Sequence, residues 1–140
     1  MAESGRPVAY APFYLSQLRD AQAVERSTIP VERTSGPIQL VSGTDDQMWG
    51  SDVLAEIAVR RLQARGHAFP FRRLRYEGAG HLISVPYGPT TVRVISLSVQ
   101  GVNDLLLCQG GTPRTDAEAG IDAWRDLLEF VEDGASRHAP

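Results

Sequence analysis

"PIQLVSGTDDQMWGSDVLAEIAVRRLQARGHAFPFRRLRYEG", residues 37–78, decides the fold. Ile38, Leu40 and Val41 form a short apolar run ended by Gly43, which suits a buried strand. From Ser51 the apolar residues take helical spacing: Leu54, Ile57, Ala58 and Leu62 share one face. Ser51 has N-cap chemistry, and Gly66 marks the stop. "FPFRRLRYEG" (69–78) reads as a second strand, with Pro70 at its edge. Strand, loop, helix and strand make a βαβ unit, whose strands should be parallel and joined by a right-handed crossover.

Working outward, residues 1–12 read as an extended lead-in, and 14–27 as a helix with Tyr14, Leu18 and Ala21 on one side. Pro30 breaks what precedes the first strand. Downstream, "TTVRVISLSVQ" (90–100), the turn "GVND" (101–104) and "LLLCQ" (105–109) predict a hairpin. Residues 112–133 form the last helix, with Ala117, Ile121, Trp124, Leu128 and Val131 as its expected buried stripe. Thr115 and Glu118 have capping-box spacing. The expected organisation is a lead-in (1–12), one α/β domain (13–133) and a tail (134–140).

A chain of 140 residues with 42% apolar and 22% charged residues can bury a core as one domain. A net charge of −3 without a long basic run argues against a nucleic-acid partner. The single cysteine, Cys108, rules out an intramolecular disulfide and suits a reducing, cytoplasmic setting. No apolar run approaches the roughly 20 residues that span a bilayer, and the first residues lack the pattern of a secretory signal. Three scattered histidines and one cysteine supply no metal cluster, and no cofactor is expected.

Functional groups gather at the carboxyl ends of strands in an open parallel sheet. Asp45 and Asp46 follow the first strand of the βαβ unit, and His81 in "YEGAGHLI" (76–83) follows the second. Both loops should leave the sheet at the same edge. An acid there can bond one imidazole nitrogen, fixing the tautomer and stabilising the imidazolium. Singly, an Asp pair after a strand reads as a turn or helix cap, and a lone His after "GAG" as a surface loop residue. Together, in the order acid then histidine, they follow the chain order Ser…Asp…His of α/β hydrolases.

Four motifs sharpen this: "IPVE" (29–32), "GTDDQMW" (43–49), "GAGHLISVPY" (78–87) and "GGTP" with "DAW" (110–113 and 122–124). Through them roughly residues 6–133 resemble the C-terminal part of the acyl-CoA thioester hydrolase / bile acid-CoA:amino acid N-acyltransferase family. The resemblance implies an α/β-hydrolase fold, a Ser–Asp–His triad (Cys as nucleophile in the acyltransferases) and an acyl-CoA substrate. By motif, the acid falls on Asp46 and the base on His81. Asp45 is then a loop or capping residue, and Trp49 packs the acid loop.

The resemblance implies a nucleophile on a G-x-S-x-G elbow upstream of the acid, and these residues contain no such pentapeptide. Ser42 and Ser51 flank the acid loop without the required glycines. Cys108 has Gly110 after it but Leu106 before it, and follows the histidine, so it reads as a core hydrophobe. The nucleophile is therefore expected in none of the 140 residues. His67 and His138 read as surface residues. Arg60, Arg61, Arg72, Arg73 and Arg75 are candidates for CoA phosphates by charge alone, and read first as a solvated face.

The expected architecture is thus the C-terminal portion of an α/β hydrolase: a βαβ unit, a hairpin, a final helix and an incomplete sheet. Three readings stay open: an inactive C-terminal piece of a thioesterase, a subunit complementing a nucleophile-bearing chain, or a stand-alone non-catalytic or acyl-binding module, such as a homodimer. The unpaired strand edge should promote self-association.

Overall fold

The computed structural model describes residues 6–83, 86–98 and 105–137, without the side chains of 135–137. The elements are α1 (Ala11–Gln17), α2 (Ala21–Ser27), a 3-10 turn (Val31–Arg33), β1 (Ile38–Gly43), α3 (Ser51–Ala64), β2 (Phe71–Tyr76), β3 (Val94–Leu97), β4 (Leu105–Cys108) and α4 (Pro113–Arg137).

The βαβ reading holds. β1 and β2 pair in parallel, with Ile38 opposite Phe71 and Gly43 opposite Tyr76. α3 packs on this pair, and its Leu62 is 0% exposed. Gly66 lies just past the helix at φ +63°, where a side chain would be strained. The hairpin strands also form, antiparallel, with Val94 opposite Cys108; its turn, 101–104, lies outside the described residues. The lead-in docks on the outer side of β4, where Val8 and Leu107 form a parallel bridge. The fold is mixed α/β, with one small parallel and one small antiparallel sheet among the described residues.

Several local expectations are corrected. Residues 14–27 are not one helix: the chain breaks at 18–20, and Asp20 restarts it by accepting the amides of Gln22 and Ala23, both at 3.0 Å. α3 is capped by Gly50 at φ +65°, not by Ser51. Ser51 instead turns its Oγ toward the amide of Gly43, 3.3 Å away. The capping box of α4 sits one turn earlier: Thr112 Oγ1 accepts the Thr115 amide at 3.1 Å, and Thr115 Oγ1 accepts the Thr112 amide at 3.0 Å. Glu118 pairs with Arg114 at 2.8 Å. The tail expected from 134 begins as helix, since α4 continues to Arg137.

The largest correction concerns α4. Its expected buried stripe is open to solvent, with Ile121, Trp124, Leu128 and Val131 between 40% and 57% exposed. The buried face instead carries Asp116, Ala119 and Ala123, and the two alanines join Ala79, Ile83 and Tyr76 in a core cluster. Small residues let the helix approach the loop after β2 closely. Ile121, Leu128 and Val131 are left about half exposed.

Candidate active site

Three chain segments meet beyond the carboxyl ends of β1 and β2. The acid loop follows Gly43, the histidine loop follows Tyr76, and residues 109–111 leave β4. The approach is too close for side chains. A Cβ on Gly43 would lie 2.3 Å from the Ala79 carbonyl oxygen, and one on Gly80 2.5 Å from Gly110. Backbone hydrogen bonds stitch the segments together: the Asp45 amide donates to Ala79 O at 2.9 Å, and the His81 amide to Gln109 O at 2.8 Å. Asp46 and Gly110 form an antiparallel bridge.

Asp46 is 5% exposed. Its Oδ1 accepts the amides of Met48 (2.8 Å) and Trp49 (3.2 Å), and its Oδ2 accepts the amide of Ser51 (3.3 Å). The loop thus wraps around a carboxylate that is satisfied by its own backbone. Oδ2 also lies 3.2 Å from His81 Nδ1. Burial by itself pushes the carboxyl upward, but the hydrogen bonds from His81, Ser51 and Met48 outweigh it and hold the group below its ordinary value. It is therefore a stable carboxylate beside the imidazole. Such a pair can hold the Nδ1–H tautomer, leave Nε2 free to accept a proton and stabilise the charged ring that results.

Trp49 does more than line the acid loop. Its ring stands edge-on to the His81 imidazole, with centroids 4.7 Å apart at 89°, and Tyr14 stands against it in turn at 6.2 Å. Asp45, read from sequence as a loop or capping residue, ties the acid loop to the third segment: its Oδ2 accepts the amide of Gly111 at 2.8 Å. Asp46, Trp49, Ser51, Gly80 and His81 line a cleft of about 320 Å³, to which Val41, Ile83, Trp124 and Leu127 add apolar lining.

The other sequence candidates stand apart from this centre. Ser42 is buried, its Oγ 3.4 Å from both Asp52 Oδ1 and Leu74 O. Cys108 is half-buried in β4. The solvated reading fits Arg60 and Arg75, 75% and 50% exposed, but not Arg61 and Arg73, 15% and 17% exposed, and four of the five are ion-paired. Arg61 grips Glu32 with two bonds of 2.6 and 2.9 Å, and this holds the Glu32 carboxyl down at about 2. Arg73 is paired with Asp52 and Glu56, Arg75 with Asp52 and Glu77, and Arg60 with Glu56. Arg72 bonds Gln39 at 2.9 Å and stacks on Phe130. His67 is not a plain surface residue either, since its ring nitrogens each lie 3.1 Å from a backbone carbonyl, of Glu32 and of Gly36. His138 and the Ser84–Val85 part of "SVPY" lie outside the described residues.

The sequence can also be set beside known proteins. The sequence profile described as "BAAT / Acyl-CoA thioester hydrolase C terminal" matches residues 12–136. The chain belongs to this family. Among its relatives, a peroxisomal succinyl-coenzyme A thioesterase of Mus musculus is 38% identical over 104 residues, 74% of this chain and 24% of the relative. The mitochondrial acyl-coenzyme A thioesterase 2 of Mus musculus is 39% identical over 106 residues, 76% of this chain and 22% of the relative. Acyl-coenzyme A thioesterase 1 of Homo sapiens is 34% identical over 114 residues, 81% and 26% respectively. The chain spans about a quarter of the length of these curated relatives. Among the described residues of this family member, no helix is long and apolar enough to cross a membrane.

The structural role of the supporting residues was missed by sequence reasoning, although Gly110 and Gly111 were singled out there within the "GGTP" motif. Gln109, 0% exposed, and the two glycines at φ +71° and +69° after it form the rear wall of the histidine loop. The signal for that role is a Gly-Gly pair just after an apolar strand, which marks a close backbone approach.

Proposed function

We propose that the chain supplies the acid–base half of an acyl-CoA thioesterase site, with Asp46 as the orienting acid and His81 as the general base. The observation that carries this reading is the 3.2 Å contact between Asp46 Oδ2 and His81 Nδ1, made beyond the carboxyl ends of two parallel neighbouring strands. The kinship with acyl-coenzyme A thioesterases supports the substrate class, a CoA thioester. The parallel pair β1–β2 corresponds in this reading to part of an α/β-hydrolase sheet.

The chemistry divides between this chain and a nucleophile outside its residues. A hydroxyl or thiol attacks the thioester carbonyl while His81 Nε2 takes its proton; the imidazolium leans on the Asp46 carboxylate. The C–S bond then breaks, and the proton passes from His81 to the departing CoA thiolate. Water repeats the cycle on the acyl intermediate and releases the carboxylic acid. Without the nucleophile and its oxyanion donors the largest rate terms are missing. The isolated chain should therefore release no CoA. The assay is CoA release from acyl-CoAs of several chain lengths, with His81→Ala alongside. Release by the wild-type chain that vanishes in His81→Ala would refute the external nucleophile.

A second reading has one specific observation behind it. The apolar face of α4 and the outer residue Val41 of β1 are exposed beside the cleft, which favours association with another polypeptide or a second copy. In this reading the chain docks before it acts, or binds acyl groups without turnover. Saturable acyl-CoA binding with no CoA release would favour the non-catalytic form. On the single cysteine, the compartment we propose is the reducing cytoplasm.

A further inference from the structure

We propose that Asp116 is a positioning residue for His81, holding the backbone from which the imidazole reaches Asp46. The role rests on reading His81 as the base. The geometry comes from α4. Asp116 stands in its first turn, and its side chain is 0% exposed. A carboxylate so buried is costly unless both oxygens are paired. Both are: Oδ1 accepts the amide of Gly80 at 2.7 Å, and Oδ2 accepts Arg93 Nη2 at 2.6 Å. Both bonds leave the helix. One goes to the residue directly before His81.

Arg93 closes the frame. Its Nη1 donates to the carbonyl of Gly110, and its Nη2 also reaches Thr90 O at 2.6 Å. Gly110 and Gly111 are the residues packed against Gly80, where a Cβ on Gly111 would fall 2.4 Å from the Gly80 nitrogen. The two amides at 80 and 81 are therefore held by different acceptors, Asp116 from α4 and Gln109 from the end of β4. With the backbone clamped on both sides, the ring's remaining freedom is rotation about its side-chain bonds, and Asp46 and Trp49 restrict that. Displacements of about 1 Å at a catalytic group cost on the order of 10²-fold in rate, so this frame bears on chemistry without touching substrate.

The bland alternative is a buried ion pair that merely fastens α4 to the hairpin. A neighbouring tie separates the two. Thr115 Oγ1, one residue earlier on the same turn, donates to Gly78 O at 2.8 Å, in the same loop. Removing it loosens the helix without touching residues 80 or 81.

The test is the tautomer of His81, read from its ring nitrogen shifts by NMR on the 140-residue chain under conditions where the ring is neutral. Wild type should hold the Nδ1–H form. Asp116→Asn, which turns an amide donor toward Arg93, should release the ring to a mixture. Thr115→Val should keep the wild-type tautomer at the same folded fraction by circular dichroism. If Asp116→Asn does not fold, Arg93→Gln carries the same expectation. A mixed tautomer in wild type, a preserved tautomer in the folded Asp116 or Arg93 variant, or equal loss in Thr115→Val overturns the proposal. The readout needs no turnover. A positioned His81 that proves dispensable for hydrolysis would sink the functional reading and leave this arrangement standing.

Discussion

Nδ1 of His81 lies 3.2 Å from Oδ2 of Asp46, although 35 positions separate the two residues in the chain. The parallel pairing of β1 with β2 makes the meeting possible, because each residue follows a strand that ends at the same edge. Asp46 also holds its own loop through three amides. Asp46→Ala leaves those donors without their acceptor and should cost about 1–3 kcal/mol, measured as a shift in urea midpoint. A midpoint equal to wild type would mean that the loop does not depend on the carboxylate.

The same carboxylate sets an acid limit. Its folded value lies below its ordinary value of 3.8, so the unfolded chain takes up the proton first as pH falls. Its contribution is therefore complete above the ordinary value and is lost as pH drops through the lower folded one. Glu32, held at about 2 by Arg61, adds a loss of the same sign over its own range. Stability measured from pH 7 down to about 3 should fall, and Asp46→Asn should flatten part of that slope. An unchanged slope in the variant would place the acid sensitivity elsewhere.

Gly110 is where the third segment touches the acid loop. A Cβ there would lie 1.7 Å from the Asp45 carbonyl oxygen, at φ +71°. Gly110→Ala should cost on the order of 3 kcal/mol. Gly36 has nothing within 4 Å, and Gly36→Ala should stay within about 0.5 kcal/mol of wild type. Thermal melts of the two variants check the contrast. Equal melting temperatures would show that the three-segment contact is looser than described.

The apolar face of α4 predicts association. Leu128 is 48% and Val131 57% exposed, and neither lines the cleft. The wild-type chain should sediment as an assembly at micromolar concentration, and Leu128→Lys with Val131→Lys should shift it toward monomer. Monomeric wild type would show that this face tolerates solvent as it stands.

The legible parts of the fold were those governed by local chemistry. Gly43, Gly66 and the apolar spacing between them outlined strand and helix, because backbone freedom and side-chain periodicity act over a few residues. The meeting of the Asp45–Asp46 loop with His81 was legible once the two strands were read as parallel neighbours, and the choice of Asp46 over Asp45 came from the family motif. Other features depended on competition between equally good local signals. Thr112/Thr115 and Thr115/Glu118 both have cap spacing; Pro113, favoured at the first helical position, selects Thr112. Asp20 outcompetes helix continuation at 18–20 in the same way. The face of α4 was misread for another reason. Periodicity identifies residues that favour burial, whereas the closeness of approach to residues 79–83 admits Ala119 and Ala123. Asp116 and Arg93 carry no periodic signal at all, since their pairing is fixed only by the meeting of distant segments.

The central claim is that Asp46 and His81 act as the acid–base pair of a CoA thioesterase. It is tested most directly by grafting residues 12–136 onto the mouse peroxisomal succinyl-coenzyme A thioesterase, in place of the relative's matching region. CoA release is then measured for the chimera and for its His81→Ala and Asp46→Asn variants. The expected result is turnover in the chimera that falls by about 10²–10⁴-fold in His81→Ala and also falls in Asp46→Asn. A folded chimera without turnover, or turnover that survives His81→Ala, would contradict it.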